Sequence, residues 1–173
     1  MKRGILIISS FLVFLSLSVK SQELSIYGNS LNGIMTENTF AGGSRGISLG
    51  VNYLKPLKND LQWLAGAEFN SVSWGNNLVA NIGIRYSKPI SDKWSWSVKA
   101  FTQQGVALFK PVALYSWGLS GTVAIAFHLS TNSSLSVGTG LKYYNCPEYA
   151  RYSLISHYLD FPVEISYSIQ LGK

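Results

Sequence analysis

The sequence has 173 residues, of which 13% are charged, and a formal net charge of +6. Its Lys and Arg residues are scattered, which excludes the basic stripe of a nucleic-acid-binding surface. A single cysteine, Cys146, excludes an internal disulfide and a cysteine-based metal site. We expect no metal, cofactor or nucleic-acid partner.

Residues 1–21 have the pattern of a cleaved secretory signal peptide. Lys2 and Arg3 precede an apolar run, and cleavage is expected before Gln22. Residues 22–173 then suffice for one domain. No stretch within them has the roughly twenty consecutive apolar residues of a membrane helix, so a secreted membrane protein of this sequence must be a closed β-barrel.

From residue 24 onward, apolar and polar side chains alternate in eight segments of about ten residues. A period of two places successive side chains on opposite faces of a strand. About ten tilted residues also suffice for a strand to cross a bilayer. The strands predicted from this pattern are residues 24–33, 46–53, 62–70, 78–86, 94–100, 117–129, 135–143 and 159–171.

Turn residues separate these segments in a regular way. Short connectors at 55–60, 88–92 and 131–134 follow the second, fourth and sixth strands, on the side that holds both chain ends. The connectors 35–45, 104–116 and 145–157 are longer, whereas Gly75, Asn76 and Asn77 predict another tight turn. This arrangement is typical of outer-membrane barrels, in which the short turns are periplasmic.

The apolar face is expected to contact lipid. A soluble domain usually has about a quarter charged residues, roughly twice the fraction here. Aromatic residues near both ends of the strands also fit the two interfacial girdles of a membrane barrel. They are Trp63, Tyr86, Trp94 and Trp96 near the short turns, and Tyr115, Trp117, Tyr143 and Tyr144 near the long connectors.

This pattern and the closing segment FPVEISYSIQL resemble the small outer-membrane β-barrel family that includes OmpX-like proteins and the membrane domain of OmpA. The resemblance covers residues 22–173. It implies an all-β, eight-stranded antiparallel up-and-down transmembrane barrel in the outer membrane, with lipid as its surroundings. The chain departs from the family's frequent terminal aromatic residue, because it ends in Leu171, Gly172 and Lys173.

Charged residues on the polar face form a candidate lumen network. Side chains fill the interior of an eight-stranded barrel, and buried charges must therefore pair or bind water. A two-residue turn at Asn76 and Asn77 would place Glu68 opposite Arg85 and predicts an ion pair there. The alternative is a gated path for protons or small solutes. The network residues are Glu68, Arg85, Lys99, Lys142 and Glu164.

Residues 105–115 are more apolar than a solvated loop should be. An exposed apolar segment often marks a contact with a partner or a membrane. The alternative is a strand that continues above the bilayer, or a segment packed over the barrel mouth. The candidate contact residues are Val106, Leu108, Phe109, Pro111, Leu114 and Tyr115.

Three functions follow. The preferred one is a non-enzymatic barrel with a plugged lumen, whose outer loops serve envelope integrity, adhesion or docking to a larger assembly. The second is a hydrolase in which His128 activates Ser130. It rests on a resemblance of the His-x-Ser sequence to the PagL lipid A deacylases, although Asn132 comes one residue late. The third is a soluble secreted barrel that binds an apolar ligand.

Overall fold

The computed structural model describes residues 22–72, 75–109, 112–148 and 157–171, except for residues 36–43. The predicted signal peptide lies outside these residues and stays a prediction. Among the described residues, no helix has the length and apolar character needed to cross a bilayer. The strands are β1 (Gln22–Met35), β2 (Ser44–Lys58), β3 (Leu61–Val72), β4 (Gly75–Pro89), β5 (Trp94–Phe109), β6 (Val112–Ser130), β7 (Ser133–Asn145), β8 (His157–Asp160) and β9 (Val163–Leu171).

The strands close into an antiparallel barrel. Each strand from β1 to β6 pairs with the next one along the chain. Strands β8 and β9 are two parts of one final strand, because both pair with β7 and with β1. Phe161 and Pro162 separate them, and proline has no N–H to donate to a sheet ladder. Eight strand positions surround the lumen, which confirms the predicted fold class.

Both described ends of the barrel sequence, Gln22 and Leu171, lie at the same end of the barrel as three tight connections. These connections are Asn59–Asp60, residues 90–93, and Thr131–Asn132. Asn59 has a φ of 53°, a left-handed conformation that asparagine tolerates in turns. We call this the turn end and the opposite end the loop end.

The tight turn predicted at residues 75–77 is wrong. Asn76 pairs with Ser71 and Asn77 with Asn70, so that residues 73–74 connect β3 to β4. Glu68 therefore lies opposite Val79, and the predicted Glu68–Arg85 ion pair does not form. The asparagines that indicated a turn instead belong to a strand. Because the register differs by an even number of residues, the faces of both strands were still predicted correctly.

The long connector predicted at residues 104–116 is also wrong. Gly105 pairs with Ser116 and Phe109 with Val112, so most of this segment is a continuous hairpin. Strands β5 and β6 have 16 and 19 residues, more than the roughly ten that a bilayer requires. Tight connections hold both strands at the turn end, and their extra length therefore extends the hairpin at the loop end.

The two faces of the wall have opposite chemistry. Side chains such as Ile47 (63% exposed) and Ile82 (66%) point outward, while Asn52 (1%) and Asn81 (0%) point into the lumen. This is the reverse of a soluble barrel, whose apolar side chains fill the interior. Within the described residues, the lumen also holds a small apolar cluster of Leu54, Leu64 and Phe101.

Aromatic rings pair at both ends of the outer surface, with centroid distances between 4.9 and 5.7 Å. The pairs are Tyr53–Trp63, Tyr86–Trp96 and Trp94–Phe127 toward the turn end, and Trp117–Tyr143 toward the loop end. Tyr144 was predicted to belong to the second girdle, and this is wrong. Its side chain is 2% exposed and donates a hydrogen bond to Asn70 Oδ1 inside the barrel, at 3.2 Å.

Gly50 leaves the space that the Tyr27 ring occupies, since a Cβ atom there would lie 2.3 Å from Tyr27 Cζ. We expect Gly50→Ala to lower the free energy of unfolding by about 1–3 kcal/mol, the usual cost of overpacking. Denaturant unfolding in lipid vesicles would measure it. Gly28→Ala is the matched control, because its Cβ would have no neighbour closer than 3.5 Å. Equal effects of the two substitutions would contradict this reading.

Candidate functional site: the charged lumen

Three ion pairs cross the lumen at successive levels from the turn end toward the loop end. Each joins strands that are not neighbours in the barrel, so the contacts span the interior rather than run along one wall. All five predicted network residues take part in these ion pairs. The one pair predicted from the sequence, Glu68 with Arg85, is absent because each of these residues has another partner. The ion pairs are Arg85–Glu23, Lys99–Glu164 and Lys142–Glu68.

The Arg85–Glu23 pair lies nearest the turn end. Arg85 forms a bidentate ion pair with Glu23. It donates from Nη1 to Glu23 Oε1 at 2.7 Å and from Nη2 to Glu23 Oε2. Its Nε also donates to Gln62 Oε1 at 2.7 Å. Sequence reasoning missed Glu23 because it precedes the first predicted strand. Extending the alternation of β1 by one residue would have placed Glu23 on the polar face.

Glu68 is the centre of the network at the deepest level. Its Oε2 accepts hydrogen bonds from Tyr27 Oη at 2.8 Å and from Gln103 Nε2 at 3.2 Å, and its Oε1 contacts Lys142 Nζ. Asn81 donates to Tyr27 Oη at 2.8 Å and accepts from Gln103 at 3.0 Å. These five side chains are at most 2% exposed. Hydrogen bonds and a counter-ion thus compensate the burial of the Glu68 charge.

Two lumen tyrosines also contact the buried ammonium groups. Lys99 Nζ lies 5.4 Å from the centre of the Tyr27 ring, and Lys142 Nζ lies 5.6 Å from that of Tyr144. These distances allow cation–π attraction. Tyr27 fell on the polar face of the predicted alternation, yet nothing in the sequence showed that its ring would lie beside a lysine on a distant strand.

A polar cavity of about 300 Å³ opens between the Arg85–Glu23 pair and the turn end, lined largely by serine, asparagine and glutamine side chains. Beyond that pair, the next space has only about 10 Å³, which is about the volume that one water requires. The turn-end cavity thus lies on one side of the Arg85–Glu23 pair, and the small space on the other side is lined in part by Lys99 and Glu164. The polar lining of the turn-end cavity does not fit the predicted alternative of an apolar ligand.

The predicted His128 and Ser130 dyad is not assembled. His128 Nε2 lies 3.1 Å from Ser95 Oγ inside the turn-end cavity. Ser130 Oγ instead lies 2.8 Å from Ser133 Oγ and accepts a hydrogen bond from the Asn132 backbone N–H. The strand register shifts between His128 and Ser130, so the expected common face is interrupted. The structure therefore does not bring His128 and Ser130, the predicted base and nucleophile, into contact.

The predicted partner-contact residues divide between the two faces of the β5–β6 hairpin. Val106 (39% exposed), Leu108 (45%) and Tyr115 (50%) point outward, whereas Leu114 (4%) points into the barrel. The side chain of Phe109, and all of Pro111, lie outside the described residues. The outward side chains form a candidate contact surface on a paired hairpin rather than on a loop.

Comparisons with known proteins support the fold. No protein-family model matches the chain, and no curated protein matches it. Neisserial surface protein A has a similar structure, with a TM-score of 0.64 at 9% identity over 86% of this chain and 96% of that one. Matches with TM-scores below 0.5 include two further barrels. They are Ail of Yersinia pestis (0.43, 11% identity, 86% of this chain and 99% of that one) and a designed transmembrane β-barrel (0.42, 17%, 88% and 98%).

Proposed function

We propose that this chain is a non-enzymatic integral barrel of the outer membrane, with a closed lumen and a docking surface at the loop end of the β5–β6 hairpin. Its apolar outer wall suits lipid, and only a closed barrel satisfies every strand hydrogen bond there. In this orientation the turn end faces the periplasm. The observation that carries the closed lumen is the stack of three ion pairs across the barrel interior.

A closed lumen predicts that the purified protein forms no stable channels in planar lipid bilayers. Ion pairs between strands that are not neighbours support this expectation, as does the fall in cavity volume from about 300 Å³ to about 10 Å³ beyond the Arg85–Glu23 pair. Lys88→Ala, at the exposed rim of the turn-end cavity, is expected to behave like the wild type. Long-lived openings of the wild type that Arg85→Ala abolishes would show that the charges line a conducting path, and would overturn the closed lumen.

Docking is the loop-end role that the hairpin supports best. The hairpin continues beyond Trp117, whose ring marks the loop-end aromatic pair, and still carries Val106, Leu108 and Tyr115 on its outer face. Apolar side chains displayed on a paired and therefore ordered element suit a lasting protein contact.

A photo-crosslinking amino acid at position 108 tests this surface in native membranes. We expect one protein adduct of constant mass, and we expect Tyr115→Asp in the same chain to reduce it strongly. Position 82 is the matched control, because Ile82 is exposed on the middle of the barrel wall and should contact only lipid. Absence of a protein adduct at position 108, or an equal adduct at position 82, would reject the docking surface.

A further inference from the structure

The buried carboxyl groups of the described part of the barrel outnumber the cations that pair with them. Among the described residues, four buried carboxyl groups face the lumen, and three cationic side chains form ion pairs with three of them. The carboxyl groups belong to Glu23, Glu68, Glu164 and Asp160, and the cations to Arg85, Lys99 and Lys142. Asp160 is the carboxyl without an ion-pair partner of its own.

Asp160 is fully buried, at 0% exposure, and neither of its carboxyl oxygens has a hydrogen-bond partner in the structure. It is the last residue of β8 and lies opposite Gly33 on β1 and Lys142 on β7. The Lys142 ammonium contacts Glu68 on the other side of the lumen. Lys142 thus has two carboxyl groups as neighbours, those of Glu68 and Asp160, and its ammonium forms an ion pair with Glu68.

An isolated carboxylate is so costly in a low-dielectric interior that such a group takes up a proton instead. We propose that Asp160 is a proton-binding site at the loop end of the lumen. At mildly acidic pH its carboxyl is neutral and Lys142 remains with Glu68. When Asp160 loses its proton, its carboxylate competes with Glu68 for the same ammonium and repels the Glu68 carboxylate.

The elements around Asp160 support a proton rather than a metal ion as the ligand. The neighbouring strand β7 contributes a cation, Lys142, which would repel a metal. The residue opposite on β1 is Gly33, which has no ionisable group, and Glu164 farther along the final strand is already paired with Lys99. Within the described ranges, no group of three or more His, Cys, Asp or Glu side chains could hold a metal ion.

The proposal predicts a specific pH dependence of stability. An unfolded aspartate is ionised above about pH 4, whereas the folded barrel keeps the proton to a higher pH. The folded state therefore binds more protons than the unfolded state in this range, and stability falls as the pH rises. We expect the unfolding equilibrium constant of the wild type in lipid vesicles to rise about tenfold or more from pH 5 to pH 8.

Asp160→Asn should remove most of this rise, because asparagine is neutral at both pH values. His157→Gln is the control for histidine titration on the same strand and should keep the wild-type slope. Infrared spectroscopy of the wild type at pH 5 should show the carbonyl stretch of a protonated carboxyl, lost on raising the pH. Parallel pH profiles of the wild type and Asp160→Asn, or absence of that infrared band, would overturn the proposal.

Discussion

Lys142→Met is expected to lower the free energy of unfolding by about 3–5 kcal/mol, the cost of removing one partner from a buried ion pair. The Lys142 and Glu68 side chains are 1% and 0% exposed, so water cannot replace the lost ammonium. Methionine keeps an unbranched side chain in the same space. Denaturant unfolding in lipid vesicles at pH 7, followed by tryptophan fluorescence, would measure the change.

A double-mutant cycle separates the ion pair from packing. Glu68→Gln removes the unpaired charge but keeps an acceptor for Tyr27 and Gln103. Lys142→Met combined with Glu68→Gln should therefore be more stable than Lys142→Met alone. Lys88→Met, at an exposed position, should change stability by less than about 0.5 kcal/mol. If the free energy of unfolding of Lys142→Met were within about 1 kcal/mol of the wild-type value, the predicted cost of breaking a buried ion pair would be wrong.

Val123→Arg is expected to lower the free energy of unfolding by about 2–4 kcal/mol in lipid vesicles, as for arginine at the middle of a bilayer. Val123 is 54% exposed on the outer face of β6, between Trp117 and Phe127, whose rings belong to the two aromatic ends. An arginine there must lose its hydration or draw water into the lipid. The measurement is the same denaturant unfolding.

The matched control is Leu129→Arg. Leu129 is equally exposed, at 56%, but lies beyond Phe127 beside the tight connection to β7. Arginine near an interface costs about 0–1 kcal/mol. The difference in unfolding free energy between the two variants should therefore reflect only the depth of the substituted position. Equal effects of the two substitutions, or no effect of Val123→Arg in lipid, would contradict a membrane-spanning wall.

The alternation predicted the face of each strand because direction in a strand is a local property with a period of two. It placed Arg85, Lys99 and Lys142 on the polar face without any knowledge of pairing. Strand ends were less predictable. Gly75, Asn76 and Asn77 have the composition of a turn, but a barrel whose interior is polar accepts buried asparagines within its strands. Asn77, one of the three residues that indicated a turn, is such a lumen residue at 1% exposure, whereas Asn76 is exposed.

The apolar hairpin shows a second source of error. Residues 105–115 were assigned to a long connector, with a continued strand as the other interpretation, and the pairing confirms the continued strand. In the barrel, both strands of the hairpin continue because residues 94–109 of β5 pair with residues 112–127 of β6. Pairing of this kind depends on the partner strand and not on the pattern within either one.

By itself, the sequence determined the class of the fold, the number of strand positions, the end that holds the tight turns, and the chemistry of each face. These properties follow from local periodicity and turn composition. Only the tertiary structure decided which charges meet, because barrel closure brings Glu23 to Arg85 and Lys142 to Glu68 from strands that are not neighbours. It also left Asp160 without a partner, since the pairing of a buried charge depends on all the walls around it.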